Sequence, residues 1–380
     1  MKTRVCDLLG IEFPILAFSH CRDVVAAVTR AGGLGVLGAV AHSPAQLEVD
    51  LRWIEEQVGD RPYGVDLLLP MKYAGSDEGG LDRAALAHLL QPEHQAFVDD
   101  ILRRYEVPEL TDEDRKAMAG HPGMSVSPKG YEPLLDVAFA HHISLIASAL
   151  GPPPPSVIER AHAQGVLVAA LAGTRVHAER HKAAGVDLIV AQGTEAGGHT
   201  GEIGTMVLVP EVVDAVAPTP VLAAGGIARG RQIAAAMALG ADGVWCGSVW
   251  LTTEEAETQP AVKAKFLGAS SSDTIRSRSI TGKPARMLKS AWTEEWEGDG
   301  SPGTLPMPVQ PLLVGEALAR INRSATTEGS GAAQLANYFV GQVVGHLDRV
   351  MPAGRVVLAM VEEYVEAAER IGTQLAASDA

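Results

Sequence analysis

Val221 to Ser248 reads "VLAAGGIARGRQIAAAMALGADGVWCGS". An apolar run leads into a glycine pair, then a helical stretch stopping at Gly240, then a second apolar run ending in "CGS". Short, continuous apolar runs are typical of strands covered on both faces. A glycine just past a periodic helix is a stop signal. The segment is therefore strand, loop, helix and strand in succession.

The same unit recurs along the chain. Further strand candidates are "FPILA" (13–17), "LGVLGA" (34–39), "YGVDLLL" (63–69), "ISLIASA" (143–149), "VLVAALA" (166–172) and "DLIVAQ" (187–192). With "PVLAAG" (220–225) and "GVWCGS" (243–248) they make eight. Helices fill most gaps: "SVIERAHAQG" opens on Ser156 and stops at Gly165, and "TRVHAERHKAAG" opens on Thr174 and stops at Gly185. Eight βα units predict an α/β fold, a (β/α)8 TIM barrel, with its chemistry in the loops after the strands. A doubly wound open sheet would more often carry a G-x-G-x-x-G turn after its first strand, and none is present.

Two segments break the repeat. Residues 70–130, after the third strand, predict a helical insertion on the catalytic face. In it, "PEHQAFVDDILRRY" reads as a helix with Phe97, Val98, Ile101, Leu102 and Tyr105 on one face. That face is expected to be buried, and the insertion as a whole to cover the site or to meet a second subunit in a homodimer. Residues 251–331 read as a smaller appended domain on the substrate side, leaving 1–250 and 332–380 as the barrel. The last helix, "RVVLAMVEEYVEAAERI", gathers Val357, Leu358, Val361, Tyr364, Val365, Ala368 and Ile371 and is expected to pack on the barrel.

Composition narrows the partners. A net charge of -15 argues against nonspecific binding to nucleic acid or anionic membrane. Cys6, Cys21 and Cys246 are odd in number and lack C-x-x-C spacing, which suits a reducing cytoplasm and no metal site. Lys2 and Arg4 precede an apolar stretch, but Asp7, Glu12 and Pro14 interrupt it, so it is not read as a signal peptide. No run approaches the ~18 apolar residues of a membrane span.

The candidate site gathers on three loops. "AAGGIARG" and "CGS" follow the seventh and eighth strands, where barrels often bind phosphate through backbone N–H groups. Gly225, Gly226, Gly247 and Ser248 are the candidate donors. The loop after the sixth strand, "AQGTEAGGHTGEIGT" (191–205), holds five glycines and one histidine, His199. So much glycine lets a flat ligand lie close to the backbone. An unperturbed imidazole titrates near pH 6.5 and can take a proton from a carbon acid.

These motifs, with "AGGLGVLGA", "RPYGVD", "TGKPAR" and "GQVVG", resemble the nitronate monooxygenases, a family of FMN-dependent barrels. Flavin-dependent enoyl-acyl-carrier-protein reductases share nearly all of them. The resemblance implies FMN with its phosphate on Gly225, Gly226, Gly247 and Ser248. It places Ala17, Phe18, Asp66, Gln192 and Gly198 beside the flavin and His199 over the reactive ring, as base or substrate-orienting group. The implied reaction oxidises alkyl nitronates, small-molecule substrates, with O2 to a carbonyl compound and nitrite. The alternative is an NAD(P)H-dependent FMN reductase of an enoyl thioester or a quinone. For that reading, "RSRSITGKPARMLK" offers Arg276, Arg278, Lys283, Arg286 and Lys289 to an anionic tail.

The chain departs from the family's pattern in three places. "LAFSHC" replaces the usual end of the first strand, and His20 there is expected to line the mouth of the site and bias substrate choice. Asp66 stands where Asn is common. Ala170 or a neighbour stands where many relatives have a lysine near the flavin.

Overall fold

The computed structural model describes residues 1–69, 86, 88–119 and 128–376. Its strands, in chain order, are β1 (Ile15–Ser19), β2 (Leu34–Gly38), β3 (Gly64–Leu67), β4 (Leu145–Ser148), β5 (Leu167–Ala172), β6 (Leu188–Gln192), β7 (Gly198–His199), β8 (Val221–Ala224), β9 (Gly243–Cys246), β10 (Thr274–Ser277) and β11 (Ala285–Leu288). Eight of these, β1 to β6 with β8 and β9, close into a barrel. All neighbours are parallel, and closure is made by β9 on β1 with Leu16 opposite Trp245. The eight expected apolar runs are the eight barrel strands, so the fold is a TIM barrel.

Strand alternation sorts the side chains into two layers. Leu16, Leu34, Leu145, Leu188, Leu222 and Trp245 fill the interior. Ile15 and Ala17 point outward and pack with the surrounding helices. The N-terminal helix Arg4–Leu9 adds Val5, Cys6 and Leu9 to the interior cluster. All three cysteines are free and buried.

The insertion is helical at Pro92–Arg104, Asp112–Ala119 and Pro128–Ala138. The expected apolar face of the first helix forms and is buried within the chain. Val98, Ile101 and Leu102 are buried in one cluster with Trp292, Trp296 and Leu313 of the appended segment. Phe97 meets Trp296 edge to face at 5.0 Å, and Arg104 grips both carboxylate oxygens of Glu295 at 2.6 and 2.7 Å. The face is consumed within the chain because helix Val309–Ser324 lies beside it. Residues 70–85, 87 and 120–127, also part of the expected cover, lie outside the described residues.

The appended segment is joined to the barrel rather than set apart. Its strands β10 and β11 pair antiparallel, and β11 pairs with β7, placing Ala285 opposite His199 and Arg286 opposite Gly198. Its Phe266, Trp292 and Val314 belong to the same apolar cluster as Ile15 and Ile233.

The last helix, Ala353–Ala376, does pack on the barrel, against helices Gly230–Ala238 and Arg22–Arg30. Its buried face is rotated from the expected one. Ala353, Val357, Met360 and Ala367 are buried, whereas Leu358, Val365 and Ile371 are exposed. The rotation follows from a close crossing at Gly230, where a Cβ would lie 2.0 Å from the Met360 carbonyl oxygen and 2.3 Å from the Tyr364 nitrogen. Glu363, beside that crossing, accepts from the Gly230 N–H at 2.8 Å and pairs with Arg229.

Candidate active site

A cavity of about 570 Å³ opens at the C-terminal end of the barrel. Phe18, His20, Asp66, Gln192, Gly198, His199, Gly225, Gly226, Gly247 and Ser248 all line it. Ala17 does not: strand alternation turns its side chain into the outer layer, where it is fully buried. Ala170 also faces outward, and its neighbour Leu171 lines the cavity instead.

The glycine loops are held by polar side chains. Gly225 and Gly226 have φ of 93° and 71°, conformations that favour glycine. Gln232 accepts from the N–H groups of Ala228 and Arg229 at 2.8 and 3.0 Å and donates to the Gly226 carbonyl. The Glu195 carboxylate accepts from the Thr205 N–H at 2.9 Å, and the Thr205 hydroxyl lies 2.9 Å from the Gly225 carbonyl. The "GQ" of the late motif closes the ring of loops. The Gly341 N–H donates to Ser248 Oγ at 2.8 Å, and the Gln342 N–H to the Glu195 carbonyl at 2.9 Å.

His199 sits on β7, at the seam with β11. Its Nε2 lies 2.9 Å from Thr281 Oγ1. The Thr281 hydroxyl donates its own hydrogen to the Lys283 carbonyl at 3.1 Å, so it accepts from His199. This fixes the Nε2–H tautomer and leaves Nδ1 as the proton acceptor. Burial, helped by the Lys283 cation, lowers the pKa of His199 to about 4. The ring is therefore neutral at pH 7 and a weaker base than an unperturbed imidazole. Phe339 lies beside it, with ring centroids 6.4 Å apart.

The opposite wall comes from β1 to β3. His20 Nδ1 lies 2.7 Å from the Gly38 carbonyl, which makes Nδ1 the donor and Nε2 an acceptor. His20 is exposed, yet burial lowers its pKa, because protein walls the ring while its free surface lines the cavity. Phe18 packs edge-on to His20 at 5.1 Å and stacks on Trp245 at 6.2 Å. Asp66 is buried, its Oδ2 has no hydrogen-bond partner, and burial raises its pKa well above the usual carboxylate range.

The basic stretch divides by role. Arg286 is buried and donates to the Thr194 carbonyl at 2.8 Å and to Thr274 at 3.1 Å. Arg276 donates to the Thr200 carbonyl, and Lys289 to the Ser272 carbonyl. These three brace backbone, while Arg278 and Lys283 remain exposed.

Sequence reading missed Thr281, Asn337, Tyr338 and Phe339, all of which line the cavity. Thr281 lies in the "TGKPAR" motif but carries no catalytic signature of its own. The adjacent aromatics of "NYF" were the available signal in a chain with six Tyr and six Phe.

A sequence model of the nitronate monooxygenase family matches residues 2–363. The chain belongs to the nitronate monooxygenase family. It is 69% identical over 366 residues to the provisionally named monooxygenase Rv1533 of Mycobacterium tuberculosis (strain ATCC 25618 / H37Rv), covering 96% of this chain and 97% of that protein. A provisionally named nitronate monooxygenase of Staphylococcus saprophyticus is 32% identical, over 76% of this chain and 79% of its own. Among solved structures, nitroalkane oxidase from Streptomyces ansochromogenes superposes with a TM-score of 0.78 at 29% identity, covering 97% of this chain and 99% of its own. FabK from Thermotoga maritima gives 0.71 at 27% identity, with 98% and 99% coverage. This nitronate monooxygenase family member is thus an oxidoreductase. Among the described residues, no helix is long and apolar enough to cross a membrane.

Proposed function

We propose that this family member binds FMN noncovalently and oxidises alkyl nitronates with O2 to a carbonyl compound and nitrite. The observation that carries the reading is His199, held as one tautomer in a cavity it shares with the glycine loops after β8 and β9. The residues present fit the cofactor. The orphaned Asp66 Oδ2 offers a polar partner on one wall, and Phe18, Leu171 and Trp245 supply apolar surface for a flat ring. A Cβ on Gly247 would meet nothing nearer than Phe18 at 3.8 Å, so bare backbone faces the space expected to take the phosphate.

Gly225, Gly226, Gly247 and Ser248 would hold the phosphate, and Gln192, Gly198 and Asp66 would flank the ring. Bound FMN would supply electron transfer with the nitronate and O2. Nδ1 of His199 would accept a proton or hydrogen bond from the substrate, while Thr281 keeps the ring oriented. The pKa of about 4 favours orientation and hydrogen bonding over strong general-base action. Phe339 and Tyr338 would limit water near the reacting atoms.

The second reading is an NAD(P)H-dependent FMN reductase of an enoyl thioester or a quinone. The likeness to FabK and the exposed pair Arg278 and Lys283 favour it. One experiment separates the two. FMN absorbance of the purified protein is followed on adding a nitronate or NADH, with and without air. Nitronate-dependent oxygen uptake with nitrite release supports the first reading. Anaerobic bleaching by NADH without turnover of nitronates supports the second. Failure to take up FMN sinks both.

A further inference from the structure

Asp66 is a buried titratable group placed beside the ring above, with its protonation state not yet assigned. It lies on β3 inside the cavity wall, in register with Gly38 on β2 and Ala147 on β4, and is 4% exposed. Its backbone carbonyl accepts from the Ala39 N–H at 2.9 Å. Its Oδ2 is sealed from solvent and bonds to no protein group.

The neighbouring groups do not neutralise an anion there. From the end of β1, His20 spends its Nδ1–H on Gly38. Beyond β2, His42 is bound to Asp50 at 3.0 Å, and Asp50 also holds Arg22 at 2.9 Å. On β4, the Ser148 hydroxyl donates to the Gly151 carbonyl at 3.0 Å. Across the cavity, His199 is neutral and committed to Thr281. An ionised carboxylate would be left buried and unpaired, which is far costlier than a buried neutral acid.

We propose that Asp66 is a neutral carboxylic acid that donates a hydrogen bond from its hydroxyl to the flavin ring. This deepens, and rests on, the FMN reading. An FMN with its phosphate held by Gly247 and Ser248 would share one cavity with the Asp66 side chain. A donor there stabilises the negative charge that the ring gains on reduction, whereas an ionised Asp66 would repel it. Raising the pH until Asp66 ionises therefore lowers the flavin's reduction potential. Burial pushes that ionisation well above the ordinary carboxylate range.

The test compares wild type with Asp66→Asn, which keeps shape and neutrality. FMN uptake is scored first by absorbance. No uptake by wild type removes the FMN reading, and this proposal with it. With FMN bound, infrared spectra at pH 7 should show the carbonyl stretch of a protonated carboxylic acid, shifted when FMN loads and lost in Asp66→Asn. Reduction potentials of the two proteins should coincide at pH 6 and separate as pH rises, wild type falling lower. With FMN bound, a missing carbonyl band, a band that FMN does not shift, or a potential gap already full at pH 6 would overturn the role of Asp66 alone. The infrared readout on wild type needs no variant to fold.

Discussion

His199 and Thr281 stand 82 positions apart in sequence, yet the imidazole Nε2 lies 2.9 Å from the threonine hydroxyl. The contact exists because β11 pairs with β7 and carries the appended segment onto the loop after β6. The threonine is a positioning residue for the ring. Thr281→Val should lower turnover by roughly tenfold, in line with the loss of a ligand-orienting hydrogen bond, while FMN content stays unchanged. Thr281→Ser should restore most of it. His199→Asn should retain FMN and lose more, about 10²-fold if the imidazole takes part in proton transfer. A loss under tenfold in His199→Asn would remove the histidine from the chemical step.

Two glycines separate backbone need from cofactor need. Gly226 has φ 71°, and a Cβ there would press on Glu195 Cβ at 3.3 Å, so its substitution strains the loop whether or not phosphate is present. Gly247 has an ordinary φ of -121°, and its missing Cβ would meet only Phe18, at an ordinary contact distance of 3.8 Å. Gly247→Leu should leave the melting temperature of the FMN-free protein unchanged and weaken FMN binding by about tenfold or more, equivalent to about 1.4 kcal/mol. Unchanged FMN affinity in a titration would move the phosphate elsewhere.

Trp296 is buried between the insertion and the appended segment, edge-on to Phe97. Trp296→Ala should destabilise the protein by about 3–5 kcal/mol, the usual range for emptying a large aromatic site. Denaturant melts measure this directly. FMN affinity of the folded fraction should not change, since the described part of the insertion lines no part of the cavity.

Gly230→Ala would drive a methyl into the Met360 carbonyl, which backbone cannot evade cheaply. The last helix should loosen. Faster hydrogen exchange over 353–376 in the variant is the expected signature, and equal protection in both proteins would show that the crossing has slack.

Acid should act on the histidines whose rings the protein walls desolvate. Burial lowers the pKa of His20, His181 and His199 in the folded state. The unfolded chain therefore takes up these protons first, and stability is lost as pH falls below about 6.5. For His199, whose pKa is about 4, the loss is at most about 3 kcal/mol once pH reaches that value. Asp66 runs the other way. Its folded pKa is raised, so its stabilising contribution is full below the unfolded value near 3.8 and is lost as pH rises through the folded value. Asp66→Asn without FMN should melt close to wild type at about pH 3.5 and progressively higher than wild type toward neutral pH. Thermal melts across that range check both signs.

The barrel could be read from the chain because each strand is a local apolar run and most helices carry their own stop. The last helix shows the limit of that reading. Its period was visible, but Leu358, Val365 and Ile371 are exposed because the close approach at Gly230 chooses the angle at which the helix sits. The insertion helix shows it again: the apolar face over Val98 to Leu102 was legible, and its partner Trp296 was not. At the site, the glycines and His199 announced themselves through local composition. Ala17 lies between Leu16 and Phe18 in the strand that reaches the site, but alternation turns it outward.

Local sequence settled the order of strands and helices and the glycine loops that end up around one cavity, since burial pattern and backbone freedom are properties of neighbouring residues. Contacts between distant segments settled the chemistry of the site. They joined His199 to Thr281, left Asp66 without a counter-charge, and lowered two imidazoles while raising one carboxyl. Desolvation and hydrogen bonding depend on which remote parts of the chain close around a group, and no local spacing encodes that.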